Sequence, residues 1–138
     1  MRFTIYGDGG SRGNPGPAGS GAIIRDEAGE TVGTVSEYLG ITTNNVAEYT
    51  AVLRALELLA GILGEKAKDA EAHVRMDSML VVRQMKGEWK IKHPNMQPLA
   101  ARVSELSRLF RSVSYEHVYR DQNKDADRLA NEAMDRGV

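Results

Sequence analysis

The chain has 138 residues, 41% hydrophobic and 27% charged, with a net charge of −1, which suits one folding unit around a single core. It has no cysteine, so disulfides, thiolate metal sites and thiol nucleophiles are excluded. No stretch approaches the roughly 20 apolar residues of a membrane span, and the near-neutral balance argues against a strong non-specific binder of nucleic acid.

Met1-Arg2-Phe3-Thr4 runs directly into a strand pattern, so no secretory leader is expected and the expected setting is cytoplasmic. Residues 3–8 read as the first strand, followed by a glycine-rich loop. Residues 21–25 and 31–39 read as the next two strands, with Gly29 supplying the positive φ of the hairpin between them. Residues 44–63 carry a helical pattern. After a polar link, 72–77 is a fourth strand, and Ser78 caps a short helix that Gly87 ends. A basic loop reaches Pro94. Leu99, Val103, Leu106 and Phe110 mark a helix at 99–110. Residues 113–119 form a fifth strand, and Asn123 is expected to cap a closing helix to Met134. Three adjacent strands, then alternating helix and strand, predict an α/β fold with a mixed sheet flanked by helices, in one domain spanning 1–138.

Four acidic residues stand out. Asp8 and Asp77 each end a predicted strand, where open sheets keep their sites; the plain alternative for each is a turn aspartate. Glu48 lies in the first turn of the long helix. At about 100° per residue it falls among the apolar set with Val52 and Leu59, not on the arc of Thr50, Arg54 and Glu57. Attraction to the helix dipole would explain its turn but not its face. In the last helix, spacing alone barely separates Asp127 from Asp125. Carboxylates brought together repel unless cations fill the gap, and hard divalent ions with oxygen ligands fit that need.

The glycine-rich run Gly7-Asp8-Gly9-Gly10-Ser11-Arg12-Gly13-Asn14-Pro15 is not a dinucleotide fingerprint, because Arg12 stands where a glycine is needed and a strand follows. Thr42-Thr43-Asn44-Asn45 exceeds what one helix cap requires and suits ribose hydroxyls or phosphates. Between 83 and 93, Arg83, Lys86, Lys90 and Lys92 against Glu88 leave four minus one, +3, around Trp89. That composition suits a nucleic-acid strand, while a solvated loop with Trp89 in the core is the equal alternative. His73 and His117 alternate within strands and read as structural. His93 reads as a substrate contact rather than a metal ligand.

Together these segments resemble a type 1 ribonuclease H, which cuts the RNA strand of RNA–DNA hybrids without sequence specificity. They are Tyr-Gly-Asp-Gly-Gly-Ser-Arg-Gly-Asn-Pro-Gly-Pro from 6, Thr-Thr-Asn-Asn-Val-Ala-Glu-Tyr from 42, Met-Asp-Ser from 76, and Asn-Lys-Asp-Ala-Asp-Arg-Leu-Ala from 123. The resemblance implies a five-stranded mixed sheet, three antiparallel strands then two parallel, with helices on both faces. It implies that Asp8, Glu48, Asp77 and Asp127 are catalytic and hold two Mg2+ ions, replaceable by Mn2+, and it selects Asp127 over Asp125. Asp8 would bridge both ions, Asp127 would serve the nucleophile side, and Glu48 and Asp77 the leaving-group side. Gly9, Ser11, Asn14, Asn44 and Met79 match positions lining the RNA strand. Asn45 would face the DNA, and Thr43 with Asn95 would meet a DNA phosphate. Lys86, Lys90, Lys92 and His93 complete the expected substrate path.

Two departures accompany the likeness. The basic helical protrusion of many bacterial members is reduced to the 83–93 cluster. The loop before the last acidic residue lacks the histidine of many members, and Arg120 is expected to stand in. The pattern is that of the compact form, some members of which also cut double-stranded RNA. A monomer is expected. The alternatives are another nuclease of the same fold, or a non-catalytic hybrid-binding module.

Overall fold

The computed structural model describes residues 1–138. Its strands are β1 (Arg2–Ser11), β2 (Gly16–Arg25), β3 (Thr31–Thr42), β4 (Glu71–Met76) and β5 (Ser112–His117). Its α-helices are α1 (Asn44–Leu63), α2 (Met79–Met85), α3 (Gln97–Ser107) and α4 (Lys124–Arg136). The five strands form one sheet in the order β3-β2-β1-β4-β5. β1 pairs antiparallel with β2, and β2 with β3, while β4 runs parallel to β1 and to β5. This is the expected mixed sheet.

Local chemistry explains most of the elements. Between β2 and β3 the Asp26 carboxylate accepts from the N–H groups of Ala28 and Glu30, at 3.0 and 2.9 Å, and Gly29 takes a φ of 81°. The side chains of Thr43 and Ser78 cap α1 and α2 by accepting from the N–H groups of Val46 and Val81. α1 lays Val52, Leu53, Leu56 and Leu59 on one face of the sheet, all fully buried. Each such side chain contributes about 1.5–3 kcal/mol. α2 and α3 extend that layer, and α4 covers β1, β2 and β3 from the opposite face. Thr50, expected on the polar arc of α1, is buried, with its hydroxyl donating to the Val46 carbonyl at 2.7 Å.

Several local expectations are corrected: β2 starts at Gly16 and not at 21, β3 runs on to Thr42 and not to 39, and β5 ends at His117 and not at 119. The glycine-rich segment is largely strand: Gly9, Gly10 and Ser11 pair with Ser20, Gly19 and Ala18. Asp8 therefore lies inside β1, not at its end. Glycine is a weak strand former, but here it is required by backbone packed directly on the sheet. A Cβ on Gly9 would lie 2.3 Å from the Ala47 carbonyl carbon in α1, and one on Gly21 would lie 2.4 Å from the Ala126 carbonyl oxygen in α4. α3 stops before Phe110, which stays buried in the turn beyond it. Asn123 precedes α4 but makes no side-chain cap; its Nδ2 donates instead to the Gly7 carbonyl at 2.9 Å.

Candidate active site

Strand register creates the site. In the parallel pair of β1 and β4, Tyr6 lies opposite Arg75 and Gly7 opposite Met76. β4 ends there while β1 continues, so the next residues, Asp8 and Asp77, emerge side by side. Asp8 pairs with Gly21, and the missing Cβ at Gly21 lets α4 sit directly above them. That contact brings Asp127, in the first turn of α4, over Asp8. On the other face Gly9 admits the first turn of α1, and the Ser20 hydroxyl pins that turn by donating to the Ala47 carbonyl at 2.6 Å. Glu48 is delivered to the same place.

One carboxylate oxygen from each of Asp8, Glu48 and Asp77 lies within 4.8 Å of the other two. With Asp127 they line an open cleft of about 510 Å³. Burial, then the charges of Asp77, Asp127 and Glu48 and a hydrogen bond with Asp127, push Asp8 from its ordinary 3.8 up to about 8. Burial, opposed by the Ser78 hydroxyl and reinforced by Asp77, pushes Glu48 from 4.5 up to about 7. None of the four takes part in an ion pair of the protein. Clustered, largely desolvated carboxylates with no ion-paired cationic side chain call for an external cation. The donor set is all oxygen, with neither sulfur nor imidazole within it, and so fits a hard divalent ion.

The remaining expected residues divide into two groups. Gly9, Ser11, Asn44 and Arg120 line the cleft. Ser11 donates its N–H and hydroxyl to the Asn44 Oδ1, at 2.6 and 3.0 Å, and the Asn44 N–H donates to the Asn14 Oδ1 at 3.2 Å. Met79 opens α2 just past Ser78 of the cleft wall and is 44% exposed. Thr43 uses its hydroxyl as the α1 cap, and Asn45 follows it without lining the cleft. Lys86, Lys90, Lys92, His93 and Asn95 are exposed on the segment after α2, and none lines the cleft. Trp89 is in that segment and is 46% exposed, not in the core.

His73 is structural as expected, bridging Ser114 and Glu116 at 2.6 and 2.7 Å. His117 corrects the sequence reading. It lies opposite Met76, at the same end of the sheet as Asp77, and lines the cleft. The expected strand ran on to 119, whereas β5 ends at His117, and that end position is what turns the residue to the cleft. Tyr119, Ser78, Arg12 and Asn131 also line the cleft without having been foreseen. Asp125 is exposed and pairs with Arg25 at 2.9 Å, outside the cleft.

A family profile described as reverse transcriptase-like matches residues 7–133. The bifunctional protein Rv2228c of Mycobacterium tuberculosis is 47% identical over 136 residues, covering 98% of this chain and 36% of its own length. Ribonuclease HI of Halobacterium salinarum is 40% identical over 134 residues, covering 97% of this chain and 65% of its own. The chain thus spans about a third of the first relative and about two thirds of the second. Among solved structures, LC11-RNase H1 in complex with RNA/DNA hybrid superposes with a TM-score of 0.91 at 47% identity, over 97% of each chain. The motifs around Asp8, Glu48, Asp77 and Asp127, the sheet that gathers them and these likenesses agree: the chain belongs to the ribonuclease H family, in its type 1 form.

Proposed function

We propose that this chain is an endonuclease that hydrolyses the RNA strand of RNA–DNA hybrids, independently of sequence and dependent on two divalent ions, Mg2+ with Mn2+ able to substitute. The observation that carries this reading is the cleft in which Asp8, Glu48, Asp77 and Asp127 converge, none of them ion-paired with the arginines that also line it. The hybrid complex of LC11-RNase H1 supports the substrate class. When bound, the ions supply an activated water at neutral pH and stabilise charge on the leaving oxygen.

The chain's own residues hold, orient and select. Asp8, held inside β1 and only 9% exposed, is proposed to help hold both ions. Asp127 approaches from α4, Glu48 from α1 and Asp77 from the end of β4, so the four come from separate elements and converge on one point. The Ser11–Asn44–Asn14 network holds the wall beside them and is proposed to meet ribose hydroxyls, the feature that separates RNA from DNA. The lysines after α2 are proposed to grip phosphates away from the cleft, in a chain that acts as a monomeric single domain. A weaker activity on double-stranded RNA is proposed on the same grounds of shape and 2′-hydroxyl recognition. No helix is long and apolar enough to cross a membrane.

The test is an assay with labelled hybrid, double-stranded RNA and double-stranded DNA. Cleavage of the RNA strand of the hybrid is expected with Mg2+ and complete loss with excess chelator. Binding without cleavage would establish a hybrid-binding module instead. Persistence of cleavage in chelator would overturn the metal reading.

A second expectation concerns the two acids of α4. Asp127→Asn is expected to lower kcat by about 100-fold or more, the scale of losing one positioning or electrostatic contact. Asp125→Asn breaks only the exposed pair with Arg25 and should change stability by less than about 1 kcal/mol with near-normal turnover. Steady-state kinetics of both variants decide it; loss of turnover in the Asp125 variant would place the wrong side of α4 in the site.

A further inference from the structure

Tyr119 is 73% exposed, more than any other large apolar side chain except that of the terminal Val138. A lone exposed aromatic on an open surface is ordinary, but this one stands at the rim of the carboxylate cleft, with Arg120 beside it. Its backbone is clamped: the Tyr119 N–H donates to the Gln122 Oε1 at 3.3 Å, and its carbonyl accepts from the Gln122 N–H at 2.9 Å. Its ring meets that of His117 edge to face, with centroids 5.6 Å apart and planes at 75°. In either sense of that contact at least one face of the tyrosine ring is left free. A held backbone and a braced ring lose little freedom when something packs on them.

Resting on the function proposed above, we infer that Tyr119, braced by His117, forms a sugar-packing subsite for the substrate strand next to the carboxylates. In a duplex the bases stay stacked inside, so an aromatic ring on the protein wall meets the sugar-phosphate ridge. The free face packs on the apolar face of a ribose. The contact is indifferent to base sequence, because every nucleotide offers the same sugar. It is made in ground and transition states alike, so it contributes to binding and leaves the chemical step unchanged.

The experiment measures hybrid binding by anisotropy of a labelled RNA–DNA duplex in chelator, with steady-state kinetics in Mg2+, for wild type, Tyr119→Ala, Tyr119→Phe and Leu109→Ala. Leu109 is half exposed in the turn before β5, at the opposite end of that strand from His117, and reports the generic effect of trimming an exposed apolar side chain. Tyr119→Ala should bind about 5- to 20-fold more weakly, or about 1–2 kcal/mol, and raise KM by a similar factor with kcat little changed. The loss should be equal on hybrids of unrelated sequence. Tyr119→Phe and Leu109→Ala should stay within about twofold of wild type. Tyr119→Ala binding as wild type does, losing kcat instead of KM, or melting several degrees lower would overturn the subsite. So would an equal loss in Tyr119→Phe, which would assign the effect to the hydroxyl. If wild type neither binds nor cleaves hybrid, the proposed function fails and the subsite with it; if wild type does both and Tyr119→Ala matches it, the subsite alone fails.

Discussion

Asp8→Asn is expected to abolish cleavage, by about three orders of magnitude or more, while making the metal-free protein more stable above neutral pH. The first effect follows from geometry: Asp8 is the buried member of the cluster, hydrogen-bonded to Asp127 and facing the charges of Asp77 and Glu48, and a neutral amide cannot replace its charge at a divalent ion. The second follows from its proton. Asp8 is held up to about 8 when folded, against 3.8 ordinarily. Between those values the folded chain keeps a proton that the unfolded chain has lost. Stability from this group is therefore fully present below about pH 4 and falls as pH rises towards 8. Glu48 shifts in the same direction and should add to the slope.

One pKa unit corresponds to about 1.4 kcal/mol. With part of the strain relieved by solvent and by the other carboxylates, a gain of about 2 kcal/mol for Asp8→Asn at pH 8 is the expected scale. Thermal melts from pH 5 to 8 in chelator should show wild type losing stability and the variant losing less. Mg2+ should raise the melting temperature of wild type and leave the variant nearly unmoved. Normal turnover with an unchanged melting profile would make Asp8 a strand residue and nothing more.

Gly9→Ala should damage stability and turnover together, although it adds a single methyl group. That carbon would sit 2.3 Å from the Ala47 carbonyl carbon and 2.4 Å from the Glu48 nitrogen. Both are backbone atoms of α1, so no side-chain tip can swing aside. The first turn of α1 must lift from the sheet, which breaks the Ser20 hydroxyl bond to Ala47 and carries Glu48 away from Asp8. Overpacking of this kind costs about 1–3 kcal/mol, and a displacement near 1 Å at a catalytic group costs about 100-fold in rate. Melting temperature and kcat, compared at a temperature where the variant is fully folded, check both parts. Gly29→Ala, which meets nothing within 4 Å but needs a positive φ, should destabilise without slowing turnover. Wild-type kinetics in Gly9→Ala would show that the packing of α1 on β1 does not position Glu48.

The kind and order of the elements were legible in the amino-acid sequence because each rests on chemistry within a few residues. The bounds of α1 follow from its apolar spacing and the capping residues at 42–45, of which the structure uses Thr43, the second hairpin from Gly29, the start of α2 from Ser78. The apolar face of α1 also marked Glu48, since a buried carboxylate breaks its own helix pattern. Elsewhere the local signal misled. Gly9 read as loop because a glycine's flexibility is local, whereas the close approach of α1 that requires it is not. His117 read as one more strand residue because alternation assigns a face and says nothing about which end of the sheet lies beside Asp77. Asn123 read as a cap, yet it donates to Gly7, 116 residues away. The sequence by itself determined which residues carry charge, where the second hairpin turns, and where α1 and α2 begin. Only the tertiary structure decided that Asp8 and Asp77 share a register, that Asp127 faces them while Asp125 turns to Arg25, and that Trp89 remains outside the core. The reason is physical: those outcomes depend on pairing and packing between segments far apart in the chain, and no local periodicity records that.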